Sequence, residues 1–268
     1  MRYPIYQVDA FTNEIFKGNP AAVIPLDAWL PDKTLQALAA ENNLSETAFF
    51  VPETDADNSD FHIRWFTPCF EVPLCGHATL ASAWVIFNKL GWSENAVRFH
   101  SKSGPLGVHK SPDDWLVLDF PNLRIEEQQT PAIILKALGN APAKAFHVPS
   151  DTNDMIVLES EAAVRAVQPD MRILKQLGNM GLIITAPGDQ VDFVSRYFAP
   201  GSGIDEDPVT GSIHSVLVPY WAEKLGKTKL EARQLSARGG VLRCELKGDR
   251  VAIAGQAAFY MEGTVHLE

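Results

Sequence analysis

The chain repeats itself, and that repeat constrains its fold more than any other feature. Arg64-Trp-Phe-Thr-Pro68 returns as Arg196-Tyr-Phe-Ala-Pro200, 132 positions later, and Asp60-Phe61 returns as Asp192-Phe193 at the same offset. Beyond an acidic loop three residues longer in the second copy, the offset becomes 135. Gly76 then matches Gly211, Lys89-Leu-Gly91 matches Lys224-Leu-Gly226, Ser101 matches Ser236, and Gly104 matches Gly239. Recurring turn chemistry explains any one match; a run in order with one insertion is the mark of an internal duplication. Each half reads strand, Arg-aromatic-Phe-x-Pro, loop, Gly at a helix start, buried helix, Gly stop, strand, Gly turn. The duplication predicts an α+β chain of two lobes related by a pseudo-twofold axis, each wrapping strands around its own apolar helix. The boundary is expected near Trp115–Asn122. The first lobe is then 1–117, joined by a returning last strand at 256–268, and the second is 118–255.

Local patterns fill in the lobes. Tyr3–Phe11 alternates into a strand, and Ala21–Pro25 is a short apolar strand after the Gly18-Asn19-Pro20 turn. Leu35, Leu38 and Ala39 give Thr34–Ala40 helical spacing, whereas Thr47–Val51 and Phe61–Phe66 are β-branched or aromatic runs. Between those two runs the polar Glu53–Ser59 segment reads as a hairpin connection. A helix of about four turns starts near Gly76, carries Leu80, Ala83, Trp84, Phe87 and Leu90, and stops at Gly91. It is apolar nearly all round, which marks a helix buried in the middle of its lobe.

Charge and cysteine usage exclude several function classes. The 23 Lys+Arg against 33 Asp+Glu leave a net charge of −10, with no basic stripe for a nucleic-acid backbone. No apolar run approaches the roughly 20 residues of a membrane span, and Asp9 interrupts the N-terminus before a signal-peptide core can form. Cys69, Cys75 and Cys244 are scattered, without a CxxC pair, which fits a reducing compartment and neither a disulfide framework nor a structural zinc site. The reading is a soluble cytoplasmic protein without a metal. There is no GxGxxG after the first strand, no GxxxxGK[ST], no GxSxG and no HExxH.

Several residues suit anion binding or proton transfer, each with a plainer structural role beside it. Leu74-Cys75-Gly76-His77-Ala78-Thr79 and Asp207-Pro208-Val209-Thr210-Gly211-Ser212 open the two expected helices. Small residues there leave first-turn N–H groups of Gly76, His77, Gly211 and Ser212 accessible to a carboxylate, aided by the helix dipole. Thr210 and Ser212 also suit plain capping of their own helix. Glu46 enters an apolar strand from a polar turn, and its counterpart falls between Gly178 and Gly181, where there is no acid. A carboxyl group at the threshold of a core suits proton transfer, with a water-facing strand-edge glutamate as the plain alternative. Asp207 closes the Asp205-Glu206-Asp207 run, which lacks the spacing of a calcium loop; it is either a dipole-favoured acid or a second acid/base group. His77 is a proton donor or acceptor near neutral pH, or a polar cap. Cys75 is half of a two-thiol epimerase pattern or a small apolar filler, and Asp205–Ser212 contains no second cysteine.

Six segments in order resemble the PhzF-like (phenazine biosynthesis PhzF) family of the diaminopimelate epimerase superfamily. They are Asp9-Ala-Phe-Thr12, Phe16-Lys-Gly-Asn-Pro-Ala-Ala-Val23, Ser45-Glu-Thr-Ala-Phe49, Arg64-Trp-Phe-Thr-Pro68, Cys75-Gly-His-Ala-Thr79 and Asp207-Pro-Val-Thr-Gly-Ser212. The resemblance implies two lobes, each a barrel-like, mostly antiparallel sheet around a central helix, with the active site between them. It implies Glu46 as general acid/base, with His77, Asp207 and Ser212 completing the polar site. It further implies Gly76, Gly211, Ser212, Asn19 and Cys75 as the substrate-binding positions. The implied activity is a cofactor-independent isomerisation that moves a proton on a small carboxylate-bearing metabolite, in a homodimer. The alternatives are an amino- or imino-acid racemase or epimerase using Cys75, and a non-catalytic metabolite-binding protein.

Overall fold

A computed structural model describes residues 1–53, 58–139, 144–151 and 153–268. Met1–Phe120 with Ile253–Glu268 form one compact unit, and Pro121–Ala252 form another. The chain opens with β1 (Arg2–Ala10), β2 (Asn19–Pro25), α1 (Asp32–Asn42), β3 (Glu46–Pro52), β4 (Phe61–Phe66) and β5 (Glu71–Val72). It continues with α2 (Gly76–Lys89), β6 (Ala96–His100), β7 (Leu106–Lys110) and β8 (Leu116–Pro121). Then come β9 (Glu126–Gln128), α3 (Ala132–Ala137), β10 (Lys144–Val148), β11 (Asn153–Val157), α4 (Glu161–Ala166) and α5 (Met171–Leu174). The second half closes with β12 (Gly181–Pro187), β13 (Phe193–Phe198), α6 (His214–Leu225), β14 (Lys229–Gln234), β15 (Gly240–Lys247) and β16 (Arg250–Gly255). Finally β17 (Ala257–His266) returns to the first unit, antiparallel to β1 along the whole of Arg2–Ala10.

The duplication is visible in the strand ladders. In the first unit β1–β2 is antiparallel, β2–β3 parallel, β3–β4 antiparallel, β4–β6 parallel and β6–β7 antiparallel. In the second, β10–β11, β11–β12, β12–β13, β13–β14 and β14–β15 repeat that series pair for pair. Register agrees as well: Thr47 sits opposite Phe66, and Leu182 sits opposite Phe198. The repeated arginine does the same work twice. Arg64 donates to both carboxylate oxygens of Glu71, at 2.8 and 2.9 Å, with its guanidinium 5.1 Å from the Phe66 ring centre. Arg196 does so with Glu206, at 2.7 and 3.0 Å, and lies 4.8 Å from the Phe198 ring centre. The partner is seven residues on in one copy and ten in the other, so the three-residue insertion lies inside this latch.

Side-chain alternation sorts each sheet into two faces. Ile24, Leu26, Phe49, Val51 and Phe66 join Leu35 and Leu38 of α1 in one cluster. The opposite parity of β2 and β3, which begins at Asn19 and Glu46, therefore faces α2, which packs on β1, β2 and β3. Ten residues of α2 between Gly76 and Ile86 are buried, and Trp84 stacks on Phe259 of β17 with ring centres 5.4 Å apart. Thr79 and Ser82 fit that apolar setting by donating their hydroxyls to Cys75 O and Ala78 O, four residues back. In the second unit Leu182, Ile184, Ala186, Val194 and Phe198 pack with α3, α4 and α5, while Trp221 of α6 stacks on Phe193 and donates to Thr185 Oγ1.

Local expectations shift at two places. β1 ends at Ala10 because Phe11 takes φ +63°, outside strand conformation. α2 begins at Gly76 as expected, but α6 begins at His214 rather than at Gly211. Thr210 donates its N–H to the Gln234 side chain, and Gly211–Ile213 form tight turns before the helix, with His214 N donating to Gly211 O and Ser215 N to Ser212 O. Both helices stop where expected, with Gly91 at φ +71° and Gly226 at φ +65°. Residues 54–57 of the expected hairpin connection lie outside the described residues.

Candidate active site

In the first unit three motifs distant in sequence bring their polar residues to one spot. Asn19 opens β2, Glu46 opens β3, and His77 sits in the first turn of α2. The two strands are parallel neighbours, with Glu46 beside Ala21, so both polar side chains emerge on the α2 face at the same end. Gly18 makes the approach feasible: at φ +61° it passes so close to Ala10 that a Cβ would lie 2.1 Å from the Ala10 carbonyl oxygen. Buried Asp9 holds the same loop by accepting the Phe16 N–H at 2.8 Å. On the other side Asn42 donates to Thr47 Oγ1 at 3.1 Å, pinning the residue after Glu46.

His77 is the hub. Its Nδ1 lies 3.1 Å from Asn19 Nδ2 and 3.5 Å from Cys75 Sγ, and its Nε2 lies 3.4 Å from Glu46 Oε2. Asn19 is fully buried and His77 nearly so, while the Glu46 side chain keeps 13% of its surface exposed. Burial drives the His77 imidazole down to about 3, so it is neutral at physiological pH. This corrects the expectation of a histidine exchanging protons near neutrality: loss of water disfavours the cation, and the adjacent carboxylate does not offset that loss. His77 is not a cap either, since no side chain caps α2 and Cys75 occupies the capping position with extended backbone. Ligand atoms of Glu46, Cys75 and His77 lie within 4.8 Å of one another, the one group among the described residues close enough to offer a cation three ligands.

The second unit assembles a different cluster. Asp207 is buried; its N–H donates to Tyr197 O at 3.0 Å and its carboxylate accepts the Thr210 hydroxyl. Gln234, at the end of β14, donates to Asp207 O at 2.9 Å and accepts the Thr210 N–H at 2.8 Å. Thr210 therefore fastens Asp207 and does not cap α6, and neither does Ser212, because α6 has no side-chain cap. Gly211 and Ser212 lie in the turns before α6 rather than in its first turn. Sequence reasoning missed Gln234, and a signal was there: Leu230, Ala232 and Gln234 share the buried parity of β14, and a glutamine in that series needs partners. Cys244 is buried on β15, where burial pushes its thiol pKa up and leaves it unreactive.

Comparison with known proteins now decides the kinship. The family model for phenazine biosynthesis-like proteins matches residues 8–263. The chain belongs to this family. An isomerase of Pseudomonas aeruginosa, described as uncharacterised, is 51% identical over 268 residues and covers the whole of both chains. The crystal structure of a PhzF family protein from Enterococcus faecalis superposes with a TM-score of 0.91 at 46% identity, again over all of both chains. A hydroxyproline epimerase of Agrobacterium vitis shares the fold at a TM-score of 0.64 and 10% identity, covering 98% of this chain and 92% of its own. Kinship within the phenazine biosynthesis-like family places the chain among isomerases, as a sheet-dominated α+β protein of two units. No helix among its described residues is long and apolar enough to cross a membrane.

Proposed function

We propose that the protein is a cofactor-independent isomerase that moves a proton on a small carboxylate-bearing metabolite, with Glu46 as the acid/base group. The observation that carries this reading is the 3.4 Å approach of the Glu46 carboxylate to the neutral His77 imidazole. Glu46 retains a solvent-facing edge while its inner oxygen is buried, so it can meet a substrate without losing its fixed position. The reaction balances without a co-reactant: Glu46 takes a proton from carbon, the electron pair delocalises toward the conjugated carboxylate, the proton on Glu46 exchanges with solvent at the carboxyl's exposed edge, and Glu46 delivers one proton to another carbon. Backbone N–H groups at the start of α2, Gly76 and His77, suit the developing negative charge, and a well-placed donor of this kind is worth about 3 kcal/mol. Asp207 with Gly211 and Ser212 is the second cluster proposed to serve the same turnover.

Fold neighbours support the carboxylate class: the Agrobacterium vitis epimerase was solved with trans-4-hydroxy-L-proline, and a methylitaconate isomerase shares the fold at a TM-score of 0.53. For an epimerase of two thiols, Cys75 needs a partner, but its counterpart at offset 135 is Thr210. The test is solvent deuterium incorporation, screened over small unsaturated and amino carboxylates. The wild type should label a turned-over substrate and Glu46→Gln should not; equal labelling by both would reject Glu46.

A further inference from the structure

An amide donor and a thiol converge on one nitrogen of His77. The Asn19 amide nitrogen lies 3.1 Å from Nδ1, and the Cys75 thiol lies 3.5 Å from the same atom. A nitrogen facing an amide N–H must present its lone pair, and a neutral imidazole with an acceptor at Nδ1 carries its proton at Nε2. That Nε2 makes no hydrogen bond of ordinary geometry among the described residues and points to the Glu46 carboxylate 3.4 Å away. We infer that Asn19 is a positioning residue that fixes His77 as the neutral tautomer with its proton on Nε2, aimed at Glu46. In the proposed isomerase, on which this consequence rests, His77 is then a stationary donor and not a proton carrier. Its N–H faces the carboxylate that acts as the base in that reading. Asn19 acts through His77 and needs no contact with substrate.

The asparagine supplies what near neighbours in size cannot. Aspartate has acceptors only, so Asn19→Asp demands a proton on Nδ1 and turns the Nε2 lone pair toward Glu46. Leucine removes the contact altogether.

The experiment is long-range 15N–1H correlation spectroscopy on protein labelled at histidine nitrogens, with the His77 signals assigned by their loss in His77→Gln. In the wild type His77 should be neutral with its proton on Nε2. Asn19→Asp should move the proton to Nδ1, and Cys75→Ala should leave it on Nε2. A wild-type proton on Nδ1 overturns the inference without recourse to any variant. An unmoved proton in Asn19→Asp, or a shift in Cys75→Ala, transfers the role away from Asn19 and overturns it too. None of these readings needs a substrate. If Glu46→Gln retained full deuterium exchange while the tautomer pattern held, the acid/base proposal would fall and the assignment of Asn19 would stand.

Discussion

Glu46 and Gly181 occupy the same register position in the two units. Glu46 lies beside Ala21 at the start of β3, and Gly181 lies beside Asn153 at the start of β12. Where the first unit places a carboxylate, the second places a hydrogen bond from the Tyr197 hydroxyl to Asn153 Oδ1 at 2.9 Å. A Cβ on Gly181 would stand 2.1 Å from that hydroxyl and 2.4 Å from that oxygen. The counterparts of Asn153 and Tyr197 are Ala21 and Trp65, so the first unit has room for an acid just where the second has filled it. Gly181→Ala should accordingly destabilise the protein by roughly 1–3 kcal/mol, as overpacking does. A denaturation midpoint equal to wild type would show that the Tyr197–Asn153 pair moves aside freely.

The arginine latches should prove structural. Arg64 bridges Glu71 and Asp32 of α1, and Arg196 joins Glu206 while also donating to the carbonyls of Val164 and Val167. The hydrogen bonds from Arg64 hold the Glu71 carboxyl down at about 2. Removing either guanidinium takes a two-pronged partner from a partly buried carboxylate, leaving Glu71 with Lys102 alone, so Arg64→Ala and Arg196→Ala should each cost on the order of 2 kcal/mol. Urea unfolding measures this. Deuterium exchange per folded molecule should remain near the wild-type rate, and selective loss of exchange in a stable variant would point to a role in the site.

Acid should loosen the fold through two histidines. Burial holds His77 down at about 3 and His214 down at about 4, the latter partly opposed by hydrogen bonds with the backbone of Thr210 and Gly211. Both start from an ordinary value of 6.5, so below it the unfolded chain binds protons that the native chain refuses. The stability is complete above pH 6.5 and is lost as pH falls toward the folded values. Each fully buried group contributes up to a few kcal/mol, on the order of 1.4 kcal/mol per pH unit. Denaturation curves between pH 7 and 5 should steepen this way, and His214→Gln should flatten the slope by one proton. An unchanged slope would mean that His214 already meets solvent.

Gln234 should matter to Asp207. It engages the Asp207 carbonyl and both the N–H and the hydroxyl of Thr210. Gln234→Leu leaves these groups buried without their partner, a loss of roughly 1–3 kcal/mol. If Asp207 serves turnover, the same change should slow deuterium exchange more than it lowers stability predicts. Comparison with Asp207→Asn measured alongside separates the two effects, since equal exchange in all three proteins would remove Asp207 from the reaction.

Cys75→Ser tests the remaining alternative chemistry. The thiol touches His77 Nδ1, but its counterpart in the second unit is Thr210, whose hydroxyl is committed to Asp207. Exchange should therefore persist in Cys75→Ser within about tenfold of wild type, which corresponds to about 1.4 kcal/mol. Its abolition, in protein that still folds, would make the thiol a participant.

The sequence by itself determined the duplication, the buried helix α2, its glycine stop and the pairing of a polar strand start with an apolar strand. These are local or periodic signals: alternation of two in strands, apolar continuity in helices, and turns that only glycine adopts. It also singled out Glu46, His77 and Asp207, because motif identity survives without coordinates. Only the tertiary structure decided which of these meet. Asn19, Glu46 and Cys75–His77 come from three separate stretches, and their convergence depends on the parallel register of β2 with β3 and on α2 crossing that end. The protonation state of His77 was likewise out of reach: the apolar run of α2 marks a buried helix, but how completely the imidazole loses water depends on what packs around it. The segment before α6 likewise depends on a residue distant in sequence, since the Thr210 N–H is bound by the side chain of Gln234, 24 residues away.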